Sequence, residues 1–170
     1  GNTIVISPSS HTSLSILEFI RIIEDILPKG LINLVTGKGS VTGEYLQHHH
    51  GFDKLAFTGS TAIGRHIGVS AAENIIPATL ELGGKSAHVI FDDCDIDKAI
   101  EGTQLGILFN QGEVCSAGSR LFIQETIYDE FVEKLVKAFE HVKVGDPLDL
   151  ETQMGALRDK ERFAVLEKFI

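Results

Sequence analysis

An α/β fold resting on parallel strands is predicted by three features of this 170-residue sequence. Short β-branched runs alternate with helical periodicities, and the connections between them are short. The balance of 43% hydrophobic and 23% charged residues, with only 4 Pro, suits a packed core rather than a disordered chain. Strand, helix, strand alternation is the pattern of a parallel sheet closed by right-handed crossovers. The length suffices for one ordinary domain or for two half-domains of something larger.

The first strand is TIVI, residues 3–6, closed by Ser7 and Pro8. Ile16, Ile20, Ile23 and Leu27 share one helical face and predict a helix from about Leu14 to Leu27, stopped by Pro28 and Gly30. LINLV at 31–35 is the second strand, and the turn TGKG leads through Ser40 into a helix ending near His48, His49 and His50. KLAF at 54–57 is the third strand, followed by a helix over about Thr61–Ala72, and ATLEL at 78–82 adds a fourth. After Gly83 and Gly84 the rhythm changes, so the glycine pair is the expected boundary between a first part, 1–82, and a second, 83–170. In the second part HVIF (88–91) and RLFIQ (120–124) are strands, and the acidic run DDCDID caps a helix from about Ile96 to Phe109. Ile127, Phe131, Leu135 and Phe139 line one face of a further helix. The chain opens without Met and stops within the amphipathic run Phe163, Leu166, Phe169, Ile170, so it is expected to be a piece cut at both ends.

A net charge of -9 with no long Lys/Arg block argues against nucleic acid or an anionic membrane surface as partner. No apolar run approaches the roughly 18 residues of a membrane span, and no leader pattern opens the chain. A cytoplasmic location follows as the default. The two cysteines, Cys94 and Cys115, have neither a disulfide framework nor a metal spacing and are expected to be reduced thiols.

Chemistry concentrates in three stretches. Phe109–Arg120, FNQGEVCSAGSR, sets Cys115 among Gly112, Ser116, Ala117, Gly118 and Ser119, small residues that let a ligand approach the sulfur. LELGGKS, residues 80–86, places Glu81 at the end of an apolar run just before two glycines. Glu81 and Cys115 are read as one site. FTGSTAIG, residues 57–64, carries a strand into Gly59, Ser60 and Thr61 and then a helix, an arrangement whose unpaired N–H groups and positive helix end suit a pyrophosphate. Each stretch also has a plainer reading: Ser60 as an ordinary helix cap, Glu81 as a strand-end acid paired with Lys85, Cys115 as a small buried hydrophobe. Cys94 lies among Asp92, Asp93 and Asp95, an unfavourable setting for a thiolate, and is given no chemistry. The histidine run at 48–50 lacks the acidic or thiol partners of a metal site and reads as a solvated turn.

FTGSTAIG, LELGGKS and FNQGEVCSAGSR, in this order, together with IYDEFVEKLV and VGDPLD, resemble the aldehyde dehydrogenase superfamily, and the likeness covers essentially the whole chain. The resemblance implies a Rossmann-like parallel sheet segment of an NAD(P)-binding domain up to about Leu82, then the start of an α/β catalytic domain. It implies oxidation of an aldehyde to a carboxylic acid with NAD or NADP as hydride acceptor. Cys115 matches the nucleophile, Glu81 the general base, and Gly59, Ser60, Thr61 and Gly64 the cofactor motif. Cys115 follows the carboxyl end of the expected helix, whose dipole opposes a thiolate, so activation would come from the cationic nicotinamide or from Glu81.

Ser7 stands where many members have a lysine reaching the adenosine ribose, and Ser10 where NAD-preferring members often have a glutamate. The choice between NAD and NADP is therefore open. Glu113 stands where glutamine is commoner. The resemblance further implies an oxyanion-hole asparagine before Gly1, a ribose-binding glutamate after Ile170 and assembly as a homo-oligomer, so that this piece alone would be inactive. Two other readings are weighed beside the dehydrogenase: a non-catalytic nucleotide-binding or structural piece, and an unrelated cysteine hydrolase with a histidine base. The second would turn over without nicotinamide, and no histidine lies within either motif.

Overall fold

The computed structural model describes residues 1–157 and 160–168. The chain divides into two units, Gly1–Glu81 and Leu82–Ile170. It is a mixed α/β structure with parallel strands, as the alternation predicts. Among the described residues the strands form three two-stranded ladders: Ile4–Ile6 with Ile32–Leu34, Leu55–Gly59 with Ala78–Leu82, and Ala87–Ile90 with Arg120–Ile123. Among the described residues no helix is long and apolar enough to cross a membrane.

In the first unit β1 (Ile4–Ile6) runs parallel to β2 (Ile32–Leu34), with Ile4 opposite Ile32 and Ile6 opposite Leu34. Helix α1 (Ser13–Ile23) connects them and ends four residues before the expected Leu27. The reason is local: Glu24 and Asp25 would set two carboxylates at the negative helix end, and Pro28 disfavours a helical Leu27. The Ile26 N–H closes a turn onto the Ile23 carbonyl instead, at 3.0 Å. After β2 the chain makes a π-helical turn, Gly39–Gly43, before α2 (Glu44–Gln47). Two glycines in five residues weaken a regular helix there. The His48 ring, through Nδ1, hydrogen-bonds to the accepting Glu44 carbonyl at 2.9 Å, while the His49 ring packs against Tyr45 and Phe52, each with ring centres 5.7 Å apart.

Strand β3 (Leu55–Gly59) leads into α3 (Thr61–Glu73), and β4 (Ala78–Leu82) pairs with β3. Buried Ser70 fixes α3 to α2 by donating its hydroxyl to the Gln47 carbonyl at 2.6 Å. The helix closes in a Schellman arrangement: the Ile75 N–H donates to Ala72 and the Ile76 N–H to Ala71. Ile75 occupies the position usually held by glycine, at φ 56°, with its side chain exposed.

In the second unit β5 (Ala87–Ile90) and β6 (Arg120–Ile123) are parallel, Ala87 opposite Arg120 and Ile90 opposite Ile123. Helix α4 (Ile96–Leu108) connects them, and α5 (Tyr128–Glu140) follows β6. Ile90, Ile100 and Phe131 form the buried centre, with Ile96, Leu121, Ile123, Ile127, Leu135 and Cys94 packed around it. Asp95 starts α4 as the acidic run predicts: its Oδ1 accepts the Lys98 N–H at 3.2 Å, and Lys98 Nζ lies 2.9 Å from Oδ2. The Lys98 ammonium, and then its backbone N–H, hold the Asp95 carboxyl below its ordinary range. A carboxyl lowered by folding stabilises above its unfolded value, and that contribution is lost as pH falls through the lowered one. Of the terminal amphipathic run, Phe163 and Leu166 lie on α6 (Lys160–Leu166), whereas Phe169 and Ile170 lie outside the described residues.

Candidate active site

The cysteine loop begins where α4 ends. Asn110, Gln111 and Gly112 adopt φ of 49°, 56° and 73°, three successive left-handed residues that reverse the chain. For Asn110 and Gln111 this backbone costs roughly 1–2 kcal/mol each, so the neighbours must hold it. The Asn110 side-chain amide donates to the Glu113 carbonyl at 3.2 Å, and the Glu113 N–H returns to the Asn110 carbonyl at 2.9 Å. At Gly112 a Cβ would also meet the Ile107 carbonyl oxygen at 3.0 Å. The reversal leaves Cys115 exposed and carries the chain into Ala117, which is buried. The Gly118 N–H then donates to the Gly106 carbonyl of α4 at 3.0 Å. A Cβ at Gly118 would lie 3.3 Å from the His88 ring on β5. The small residues around the sulfur therefore serve packing as much as ligand access.

The second half of LELGGKS is knitted to this loop. A Cβ at Gly84 would sit 2.9 Å from the Cys115 carbonyl oxygen, a backbone atom that cannot rotate aside. The Arg120 N–H donates to the Ser86 carbonyl at 3.2 Å and its Nε to the Lys85 carbonyl at 2.7 Å, while the Lys85 ammonium donates to the Gly84 carbonyl at 3.1 Å. Gly83, by contrast, has open space where a side chain would begin. Gly84→Ala is expected to cost about 1–3 kcal/mol through overpacking, and Gly83→Ala no more than about 0.5 kcal/mol. Denaturant unfolding of the two variants side by side checks this contrast. Glu81 lies on β4 in the first unit with its side chain exposed, and Cys115 is set by the second unit.

The remaining candidates also belong to the first unit. Ser60 has extended backbone, φ -71° and ψ 146°, and its Oγ accepts the Ile63 N–H at 3.3 Å, so it does cap α3. A helix start leaves the Thr61 and Ala62 N–H groups without an intrahelical acceptor, and these suit an anion. A Cβ at Gly59 would lie 2.5 Å from the Phe57 ring, so a side chain there would displace that ring, and Gly64 is buried within the first turns of α3. Ser7 and Ser10 are exposed in the loop after β1. The donor set of helix-start amides and hydroxyls fits the phosphates and ribose of a dinucleotide. Sequence reasoning passed over His88, although its alternation with buried Ile90 places it on the inner face of β5. It also passed over Arg162 of α6, whose Nε lies 2.8 Å from Glu113 Oε1; nothing in the local sequence joins two residues so far apart.

The model of the aldehyde dehydrogenase family matches residues 1–170, and the chain belongs to that family. Solved structures agree. A Burkholderia cenocepacia protein assigned as an aldehyde dehydrogenase is 42% identical, with a TM-score of 0.95 over 99% of this chain and 35% of that one. An aldehyde dehydrogenase of Bacillus cereus is 42% identical, TM-score 0.94, over 98% of this chain and 34% of that one. The betaine aldehyde dehydrogenase of Staphylococcus aureus, solved in complex with NAD+, is 37% identical, TM-score 0.94, over 98% and 33% respectively. The chain thus spans about a third of the length of the solved proteins it matches.

Proposed function

We propose that this sequence is the central piece of an NAD(P)-dependent aldehyde dehydrogenase, with Cys115 as nucleophile and Glu81 as general base. The observation that carries the reading is the exposed Cys115 on a loop fixed by close backbone contact with Gly84 and by the Gly118–Gly106 hydrogen bond. Residues 1–82 serve cofactor binding and 83–170 the nucleophile. Gly59, Ser60, Thr61 and Gly64, with Ser7 and Ser10, would hold the dinucleotide. The S. aureus relative, solved with NAD+, supports NAD among the two forms.

In this mechanism the Cys115 thiolate attacks the aldehyde carbon; the C–S bond forms and the carbonyl π pair moves to oxygen. The backbone N–H of Cys115 offers one donor to that oxyanion. A bound nicotinamide would supply a hydride acceptor for the captured aldehyde, and the oxyanion's electron pair re-forms the carbonyl as hydride leaves the carbon, which gives a thioester on Cys115. Glu81 then takes a proton from water, the hydroxyl adds to the thioester carbon, and the C–S bond breaks to release the acid and the thiol. Dividing capture from release lowers each barrier. The whole protein acts as a homo-oligomer in the cytoplasm on a small aldehyde.

The test uses the full-length protein, a broad aldehyde panel, NAD and NADP, and wild type beside Glu81→Gln. Wild type is expected to reduce one cofactor in an aldehyde-dependent manner. Glu81→Gln is expected to keep a fast first turnover and lose about 10²–10⁴-fold in the steady state, the range of a lost general base. Failure of wild type to reduce either cofactor would replace this reading with a non-catalytic nucleotide-binding one.

A further inference from the structure

The least expected contact in the second unit is the pair between Glu113, two residues before Cys115, and Arg162 on α6. The Nε to Oε1 separation is 2.8 Å, yet the atoms are not aligned for a hydrogen bond, so this is a close charge pair rather than a directed one. Both atoms are shielded from solvent, and the Glu113 side chain as a whole keeps only 19% of its exposure. A carboxylate in such a place is unfavourable unless a cation accompanies it. Its backbone is the closing residue of the left-handed turn Asn110–Gly112, through the two hydrogen bonds exchanged with Asn110. Whatever anchors Glu113 therefore anchors the reversal that presents Cys115. A second contact points the same way: a Cβ at buried Gly155 would meet the Gln111 amide at 3.1 Å, so the segment leading toward α6 is seated against the same turn.

We infer that Arg162 is a positioning residue for the nucleophile loop, acting through the Glu113 carboxylate rather than on substrate. The inference rests on the reading of Cys115 as nucleophile, but its physical core, a loop held by a charge pair, is measurable without turnover. Removing Arg162 alone strands the Glu113 charge; removing both charges does not. Glutamine at both positions is thus predicted to restore what glutamine at Arg162 destroys.

The experiment is amide hydrogen exchange on the full-length protein, wild type, Arg162→Gln, Glu113→Gln and the double variant, beside kcat and KM for an aldehyde. Exchange across residues 109–119 is expected to quicken on the order of tenfold in Arg162→Gln and to return within about twofold of wild type in the double variant, while α5 amides keep their protection. The same loosening should lower kcat by about tenfold at nearly constant KM, short of the hundredfold cost of gross misplacement of a reacting group. Unchanged loop exchange in Arg162→Gln, equal loosening of α5, or a double variant as loose as the single would overturn the inference. Should Arg162→Gln not fold, the reversed pair Glu113→Arg with Arg162→Glu decides it: wild-type loop protection supports the inference and lost protection overturns it. If wild type shows no aldehyde-dependent turnover, the catalytic reading fails while loop exchange still judges the charge pair.

Discussion

Cys115→Ala in the full-length protein is expected to abolish aldehyde-dependent cofactor reduction, a loss on the order of 10⁴–10⁶-fold, the scale seen when a covalent nucleophile is removed. The serines at 116 and 119 offer hydroxyls, which are weaker nucleophiles than a thiol. Cys94→Ala should keep most of its turnover, because Cys94 is packed against the core of Ile90, Ile100 and Phe131. Steady-state assays of the two variants with the best aldehyde of a panel check the pair. Retained activity in Cys115→Ala would remove the basis of the proposed chemistry.

The largest stability effect is expected at Phe131→Ala. Phe131 is 0% exposed and fills the space between Ile90 of β5 and Ile100 of α4. Deleting its ring removes both the transfer free energy and the packing around it, about 3–5 kcal/mol. A typical domain has only some 5–15 kcal/mol in total, so the variant should lie near the limit of folding. Val136→Ala on the same helix, half exposed, should change stability by no more than about 0.5 kcal/mol. Denaturant midpoints of both variants measure the difference, and equal midpoints would mean that Phe131 is not the centre of this core.

Most of the secondary structure was legible because it is locally encoded. Asp95 and Ser60 start α4 and α3 where an acidic run and a Gly-Ser-Thr turn predict helix starts, and both caps are made by the expected side chains. The end of α1 was misplaced because hydrophobic spacing favours Leu27, while Glu24, Asp25 and Pro28 stop the helix at Ile23. Left-handed backbone at Asn110 and Gln111 was not legible: neither residue demands it, and only contacts with Glu113 and the neighbouring chain hold it. The glycines read as room for a ligand are in part room for protein, the Cys115 carbonyl at Gly84 and the His88 ring at Gly118. The link between Glu81 and Cys115 rests in the sequence on the small-residue loops that hold them, and the two residues belong to different units. The Arg162–Glu113 pair depends on where α6 falls in space, which no spacing rule encodes.

The most direct test of Cys115 as a covalent nucleophile is a mass measurement on the full-length Glu81→Gln protein, quenched in acid during turnover with aldehyde and NAD and then digested. The peptide holding Cys115 should carry the added mass of an acyl group, should do so only when both aldehyde and cofactor are present, and should lose it in hydroxylamine as a thioester does. An unmodified Cys115 peptide during ongoing cofactor reduction, or acylation of the Cys94 peptide in its place, would contradict the account.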